Sequence, residues 1–442
     1  MKVAIIGAGI AGLAASHEFS KLGHDVEIYE ASDRAGGRGK LLNRPGTDDW
    51  ADVGSQYFHS NYTNGLRIID ELGLSPKLKK ITGSSRMFTG KNLGESYLLS
   101  PRLPWINPGG ISGNLKVAYY MAKMLLKNRS HTFAAEAKQA PYDAQLAMDS
   151  TSEAFVQNHI VRMLTMVGGL SEPEDMRVNM LQIYRLLKII MLTDYVSLEG
   201  GTATLHAELA KRATIQYNSP VKGLRQEGGA VTDLVLQNGD IVEADHIVVA
   251  AHAPNAAKIV PSEWQKEKDY LSAIEMPPAI LVSFFLDCSL EKDVWTYFLP
   301  FENRDKKGTV TFCVDTHQKS PGNTPSGRAT LQAWIISPQS EPLMDKPDDE
   351  IAQIARRDIA SYLPHVDNHI EGYAVTRHKH AVPQSSVGHN ERTLAFLESV
   401  DNRAGVSFCG DYMSGGYMES ALWSVQRAIE KFTQDDGSKV AA

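Results

Sequence analysis

"MKVAIIGAGIAGLAASHEFSKLGHDVEIYEASDRAGGRGK" (residues 1–40) is the stretch whose reading decides the fold. Val3 to Ile6 is a short apolar run with β-branched residues, and Gly7, Gly9 and Gly12 follow it in GxGxxG spacing. The first glycine allows a sharp turn, the second lets a pyrophosphate approach the backbone, and the third lets the next helix pack close to the strand. The anion then rests on free N–H groups at the positive end of that helix. Leu13, Phe19 and Leu22 form the helix's apolar stripe, Gly23 marks its end, and Asp25 to Tyr29 reads as a second strand. Glu30 follows, where a carboxylate accepts hydrogen bonds from a ribose 2′-hydroxyl and repels a 2′-phosphate. Glycine spacing alone would describe an ordinary turn, but strand, turn, helix, strand and acid in this order describe a dinucleotide site.

Beyond Glu30, Arg34 and Arg38 flank the Gly36–Gly37 pair. A guanidinium fork pairs two oxygens at once and suits a pyrophosphate. A nicotinamide site has no general need of this second loop. The whole stretch resembles the N-terminal signature of the flavin-containing amine oxidase superfamily, which includes monoamine and polyamine oxidases, protoporphyrinogen oxidases and carotenoid desaturases. The resemblance implies FAD as cofactor. It also implies an α/β fold in which a discontinuous Rossmann-like FAD-binding domain of the glutathione-reductase type is interleaved with an α+β substrate-binding domain.

Composition agrees. A chain of 442 residues with 43% hydrophobic content buries a large core and is too long for one compact domain. A net charge of −7, with no dense lysine-arginine block, argues against a nucleic-acid binder. Cys288, Cys313 and Cys409 are too few and scattered for a disulfide framework or a metal site, so no metal is expected and a reducing, cytoplasmic compartment is. Peripheral membrane association is the alternative raised by "GNLKVAYYMAKMLLKNRS" (113–130). Its apolar Leu115, Tyr119, Met121, Met124 and Leu125 stand beside Lys116, Lys123, Lys127 and Arg129. The plainer reading of that segment is an amphipathic helix of a globular domain. The partner is expected to be a small molecule, and oligomeric state is not legible.

Further motifs follow the same resemblance. "DDWADVGSQYFHS" (48–60) matches a second flavin loop, which implies that Gly54, Ser55 and Gln56 approach the ring with Tyr57 and His59 nearby; its plain reading is a turn between strands. From Leu66 to about residue 190 the periodicity is mostly helical. "LEGGTATLHAELAKR" (198–212) matches a glycine pair that opens a helix, and the strand after it implies that the Val221 backbone lies against the adenine. Asn238–Gly239 marks a hairpin turn ahead of a buried strand from His246 to Ala251. At the end, "VSFCGDYMSGGYMESALWSVQRAIEKF" (406–432) resembles the family's C-terminal flavin motif. Gly410 and Asp411 would meet the ribityl chain, and Met418, Glu419 and Ser420 would present helix-start N–H groups to flavin O2. The implied domains are 1–80, 196–260 and 390–442 for FAD, and 81–195 with 261–389, including a helical subdomain, for substrate.

Tyr417 matches the tyrosine that forms one wall of the monoamine oxidase cage, against the plain reading of a packed core tyrosine. The second wall falls at Arg377 and His378. No cysteine precedes Pro383, so FAD is expected to be noncovalent. The family's active-site lysine, due in "EMPPAILVSFF" (275–285), is missing, while "AVPQSSVGH" (381–389) is close to a protoporphyrinogen oxidase segment. Tyr57, His378, Tyr417 and Trp423 are the candidate substrate-side residues. The favoured reading is oxidation of an amine or cyclic imine, by hydride transfer to flavin N5 and reoxidation by O2 to give H2O2. Dehydrogenation of a ring or polyene and a non-catalytic flavin-binding protein are the alternatives.

Overall fold

Five short strands form a parallel sheet in the order Thr214–Gln216, Asp25–Tyr29, Lys2–Ile6, His246–Val249 and Val406–Phe408. The computed structural model describes residues 1–91, 93–100, 105–127, 131–172, 177–300, 308–325 and 327–435. A parallel sheet is covered on both faces, and the central strand shows it. Val3 and Ile5 face a core built with the Ile10–Lys21 and Met418–Asp435 helices, where Phe19 meets Phe432 edge-on at 5.0 Å. Ala4 and Ile6 face the opposite core, with Trp264, Leu271 and Phe396.

The turn after the first strand is held by Gly7 N–H donating to Tyr29 O (2.9 Å), and Gly7 has φ +100°, a left-handed conformation that glycine adopts without strain. The helix ends at Lys21, followed by Gly23 at φ +82°. Strand and helix positions in the first thirty residues coincide with their pattern. Pro220 splits the segment after the Gly200–Gly201 turn into two strands, Thr214–Gln216 in the parallel sheet and Val221–Glu227 in a separate antiparallel sheet with Ala230–Leu236 and Ile241–Glu243.

A second sheet of seven strands carries the other half. Its order is Ile370–His378, Ala279–Leu286, Ala329–Ile335, Phe312–Asp315, Val294–Phe298, Ser84–Phe88 and Ser96–Leu99. All neighbours are antiparallel except Val294–Phe298 with Ser84–Phe88. The strand Ala279–Leu286 alternates between two interiors: Ile280, Val282, Phe284 and Leu286 pack under the Asp348–Ala360 helix, whereas Leu281 joins Trp295, Phe312 and Trp334 on the other face. The helical expectation for residues 66 to 190 is corrected here, because strands at 78–80, 84–88 and 96–99 interrupt it. The first pairs with Tyr195–Leu198 and the second with Val294–Phe298, partners far away in sequence that local periodicity does not register, and the third pairs with the second. The helices Gly110–Lys127, Arg162–Gly169 and Met180–Leu192 pack beyond this sheet edge. The amphipathic helix thus runs over 110–127, and Arg129 lies outside the described residues. Among the described residues no helix is long and apolar enough to cross a membrane.

A buried ion pair ties the seven-stranded sheet to the small antiparallel pair Leu41–Asn43 and Trp50–Asp52. Lys319, at the end of the short Thr316–Lys319 helix, is 0% exposed, and its ammonium donates to Asp52 Oδ2 (3.1 Å), Gln56 O (2.9 Å) and Gln56 Oε1 (3.0 Å). Asp52 Oδ1 in turn accepts from Thr202 N (2.8 Å) and Thr202 Oγ1 (2.9 Å), and Asp52 O accepts from Gln332 Nε2 (2.8 Å). Four donor groups and five acceptor oxygens close the network through six hydrogen bonds, the condition under which burying two charges is tolerable. The Lys319→Met variant leaves the Asp52 carboxylate buried without a counter-charge and is expected to lose about 3–5 kcal/mol of stability. The Lys319→Met/Asp52→Asn double variant should regain part of it. Chemical denaturation of the three proteins checks this, and additive losses would show that the two groups are not coupled.

Candidate active site

A cavity of about 770 Å³ runs from the parallel sheet to the seven-stranded sheet. At its nucleotide end the wall is made by Gly7, Gly9, Glu30, Gly37 and Arg38, with Val221, Lys222 and Lys258 further out. A Cβ on Gly9 would meet nothing within 4 Å, so the backbone there borders open space of the kind a pyrophosphate fills. Gly12 is not on the wall. Its absent Cβ would lie 1.9 Å from Gly7 O, and the helix therefore lies against its own turn only because residue 12 is glycine. Glu30 Oε2 accepts from Ala8 N (2.7 Å) and Oε1 from Ser32 N (2.9 Å), which fixes the carboxylate at the strand end.

The second loop docks on the first through Gly36 N–H to Ala8 O (2.8 Å). Arg38 reaches across the cavity floor, with Nη1 2.8 Å from Asp411 Oδ2 and 2.8 Å from Ala381 O. Gly54, Ser55 and Gln56 line the cavity beside Tyr57. A Cβ on Gly54 would stand 1.6 Å from Arg38 O, so this crossing of two backbones also requires glycine. Gly410, Asp411, Gly416, Tyr417 and Met418 close the far side, where the Met418–Asp435 helix begins and its first N–H groups have no intrahelical partner. Each element fits FAD: a glycine cradle, a ribose acid, an arginine near the pyrophosphate, an acid near the ribityl chain and a helix start beyond it. None of the three cysteines is among the residues that line the cavity, so a cysteinyl link to the flavin has no donor there.

Five expected positions fall elsewhere. Arg34 folds back on its own loop, donating to Ala35 O and Gly37 O at 3.3 Å each, and is not on the wall. The Glu419 carboxylate is buried and turned to the Thr63–Glu71 helix, where it accepts from Asn64 N (2.7 Å) and Gly65 N (2.9 Å); it caps that helix and leaves the cavity to its neighbours. Ser420 is fully buried off the wall, and its own N–H is spent on Tyr417 O. Trp423 packs between the two cores of the parallel sheet. Arg377 alternates outward on its strand and pairs with Asp348 (2.6 Å).

The substrate end is aromatic and apolar. Tyr57 lies at the centre, edge-on to Tyr195 (5.0 Å), His59 (5.3 Å) and Trp295 (5.7 Å). Leu99, Met163, Leu164, Leu186, Ile189, Phe312 and Trp334 complete that end with Tyr417. His378 is on the wall, bonded to Val53 O. The side chain packed over Gly416, next to Tyr417 in the chain, is Val382, so an aliphatic group also lines the cavity there. Tyr195, Trp295, Trp334 and Lys319 are absent from the sequence-based candidates. The only local signal of the three aromatics is a ring in a β-like run, which describes most core strands equally well, and Lys319 has none.

Burial sets the charge of this end. It pushes the Tyr57 phenol up to about 12 and the His59 imidazole down to about 3, and it lowers His206 and His378 as well. His252, nearer the nucleotide end, is held down to about 4 by burial and then by Arg38. At pH 7 the phenol keeps its proton and these imidazoles are neutral. The sign of the linked pH dependence follows. His59, and His389 at about 3, are neutral when folded and titrate near 6.5 when unfolded, so the unfolded chain binds more protons as pH falls. Stability is complete above about pH 6.5 and is lost below it, by up to about 1.4 kcal/mol per pH unit for each histidine. Thermal melts between pH 7 and pH 4.5 should show this fall, with up to about 1.4 kcal/mol per pH unit of the slope removed in a His59→Gln variant and the remainder left by the other buried histidines. Equal slopes would mean that His59 protonates in the folded protein.

The family described as "Flavin containing amine oxidoreductase" matches residues 10–428. The chain is 24% identical to the coproporphyrinogen III oxidase of Bacillus subtilis (strain 168), over 94% of this chain and 93% of that one. It is 25% identical to a probable flavin-containing monoamine oxidase A of Dictyostelium discoideum, over 58% of each. Among solved structures a redesigned putrescine oxidase superposes with a TM-score of 0.74 at 18% identity, covering 98% of this chain and 99% of that one, a likeness of fold. The family match spans nearly the whole chain: the chain belongs to the flavin-containing amine oxidoreductases and is an FAD-dependent oxidoreductase.

Proposed function

We propose that this protein removes a hydride from a bulky, uncharged, largely apolar organic molecule, and that the bond oxidised belongs to a ring or polyene carbon framework. One observation carries the reading. Among the described residues lining the cavity, every carboxylate, lysine and arginine (Glu30, Arg38, Lys222, Lys258, Asp411) belongs to the nucleotide half. No acid stands at the substrate end to hold an ammonium and no cation to hold a carboxylate. A buried charge without a partner costs several kcal/mol, so a dication or a polyanion is discriminated against on entry. The aromatic group around Tyr57 and the aliphatic Val382 on the cavity lining support the same class.

FAD, when bound, supplies the hydride acceptor. The chain's own contribution is placement and exclusion of water. Tyr57, Tyr195, Trp295 and Tyr417 confine a flat substrate, and a water-poor wall keeps its C–H bond directed at the cofactor side of the cavity. Gly7, Gly9, Gly37 and Arg38 would hold the pyrophosphate, Glu30 the adenosine ribose, Asp411 the ribityl chain, and the backbone of Gly54 to Gln56 one edge of the ring. The first-turn N–H groups at Met418 favour negative charge on the pyrimidine edge. Lys319 takes no part in substrate binding, since its ammonium is saturated by Asp52 and Gln56.

A second reading, oxidation of a neutral hydrophobic amine with O2 as acceptor, rests on Tyr417 alone. Anaerobic mixing separates the two. A neutral cyclic or polyene hydrocarbon framework is expected to bleach the flavin, whereas a linear diamine is not; bleaching by a compact cyclic amine alone would establish the second reading. Tyr417→Ala should slow flavin reduction on the order of tenfold with FAD still bound. Glu30→Ala and Asp411→Ala should instead lower FAD content, and full flavin loading in both would remove their assigned roles.

A further inference from the structure

The Gly110–Lys127 helix is apolar on two faces. Val117, Tyr120, Met121 and Met124 are buried in the core that also holds Leu164 and Leu186. The opposite side is exposed and equally apolar: Ile111 (74%), Leu115 (65%), Tyr119 (72%) and Leu126 (75%), with the small Ala122 among them. At 100° per residue these five side chains fall within an arc of roughly 80°, one continuous stripe along the whole helix. A water-soluble surface seldom carries such a stripe without a partner.

We infer that this stripe docks on the surface of a bilayer containing anionic lipid. Three observations select that occupant. Among the helix's described side chains the charged ones are Lys116 and Lys123 and none is an acid, so its flank is basic; Lys116 meets Glu153 from a neighbouring segment, and Lys123 is exposed. Two copies packed through this face would bring like charges together, whereas anionic headgroups complement them. Two exposed aromatics stand at this face, Tyr119 on the helix and Trp105 just ahead of it, residues whose apolar ring and polar tip suit the headgroup level. Trp105 is tied to the start of the helix because Asn114 bonds both Ile106 N (2.8 Å) and Ile106 O (2.9 Å) as well as Gly110 O (2.7 Å).

The third observation is continuity with the site. Leu164 and Leu186 line the substrate end of the cavity and belong to the same core as the helix's buried face. Leu98, exposed, is next in the chain to Leu99 on the cavity wall. The lipid-facing surface and the substrate end therefore share one small subdomain. Docking there sets an apolar cavity beside the phase in which an apolar substrate dissolves. The inference rests on the exposed face and stands whichever substrate the flavin oxidises.

The test uses the FAD-loaded full chain and phosphatidylcholine vesicles with or without phosphatidylglycerol. Sedimentation with the anionic vesicles, weakened by salt, is expected, together with a blue shift of tryptophan emission. The Ile111→Glu/Leu115→Glu variant changes only exposed side chains and should keep its FAD content and melting temperature while losing about tenfold or more in vesicle partitioning. A Lys116→Gln/Lys123→Gln variant should lose the salt-dependent part. Binding to neither vesicle, or undiminished binding by the glutamate variant, overturns the proposal. So does a solution dimer that the glutamate variant dissolves in the absence of vesicle binding, which would make this face a self-association surface.

Discussion

Lys319 and Asp52 hold the two halves of the molecule in register. The pair lies where the strand Trp50–Asp52 hands over to the loop Gly54–Gln56, and the lysine comes from the far side, at the end of a seven-stranded sheet strand and its short helix. Because the ammonium also takes both oxygens of Gln56, the loop that borders the cavity is fixed in backbone and side chain together. Thr202 adds the Gly200–Gly201 turn to the same carboxylate. Three chain segments converge on one buried charge. A shift of any of them would leave an ion unpaired in a medium where that is costly, so the cavity wall inherits the rigidity of the ion pair.

A second constraint is steric. Gly12 lets the first helix touch its own turn, and Gly54 lets its segment cross the backbone at Arg38. Both places would put a Cβ inside van der Waals contact of a carbonyl oxygen, with no side chain free to move aside. The nucleotide end is thus built by backbone approaching backbone, which is the arrangement a pyrophosphate needs, since its oxygens are met by N–H groups.

How much of this was legible follows from the range of each interaction. The first strand, its glycine turn, the helix and Glu30 are decided within thirty residues by sterics and period, and pattern reading finds them. So are the Asn238–Gly239 hairpin and the strand and helix after residue 405. The strand Ser84–Phe88 lies inside a helical stretch of sequence because one sheet partner, Val294–Phe298, is some two hundred residues away, and the edge strand Ser96–Leu99 is added onto Ser84–Phe88 in turn. Glu419 shows the limit of a motif: its place in the C-terminal signature points to the flavin, yet its carboxylate is captured by the helix at Thr63. Lys319 carries no motif at all. A lysine after a buried strand reads as a solvated end, and only the depth of Asp52 makes it otherwise.

Charge divides the cavity along its length. At one end lie the acids and bases a dinucleotide requires; at the other, ring contacts near 5 Å and imidazoles that burial keeps neutral. A substrate that needed a counter-ion would have to leave its charge uncompensated among Tyr57, Trp295 and Trp334. The aromatic end therefore selects against charge at no structural cost, because the same rings that exclude an ion also complete the core beneath the seven-stranded sheet. Specificity and stability at this end are one set of contacts. A substitution that admitted a charged substrate would have to open the core to do so.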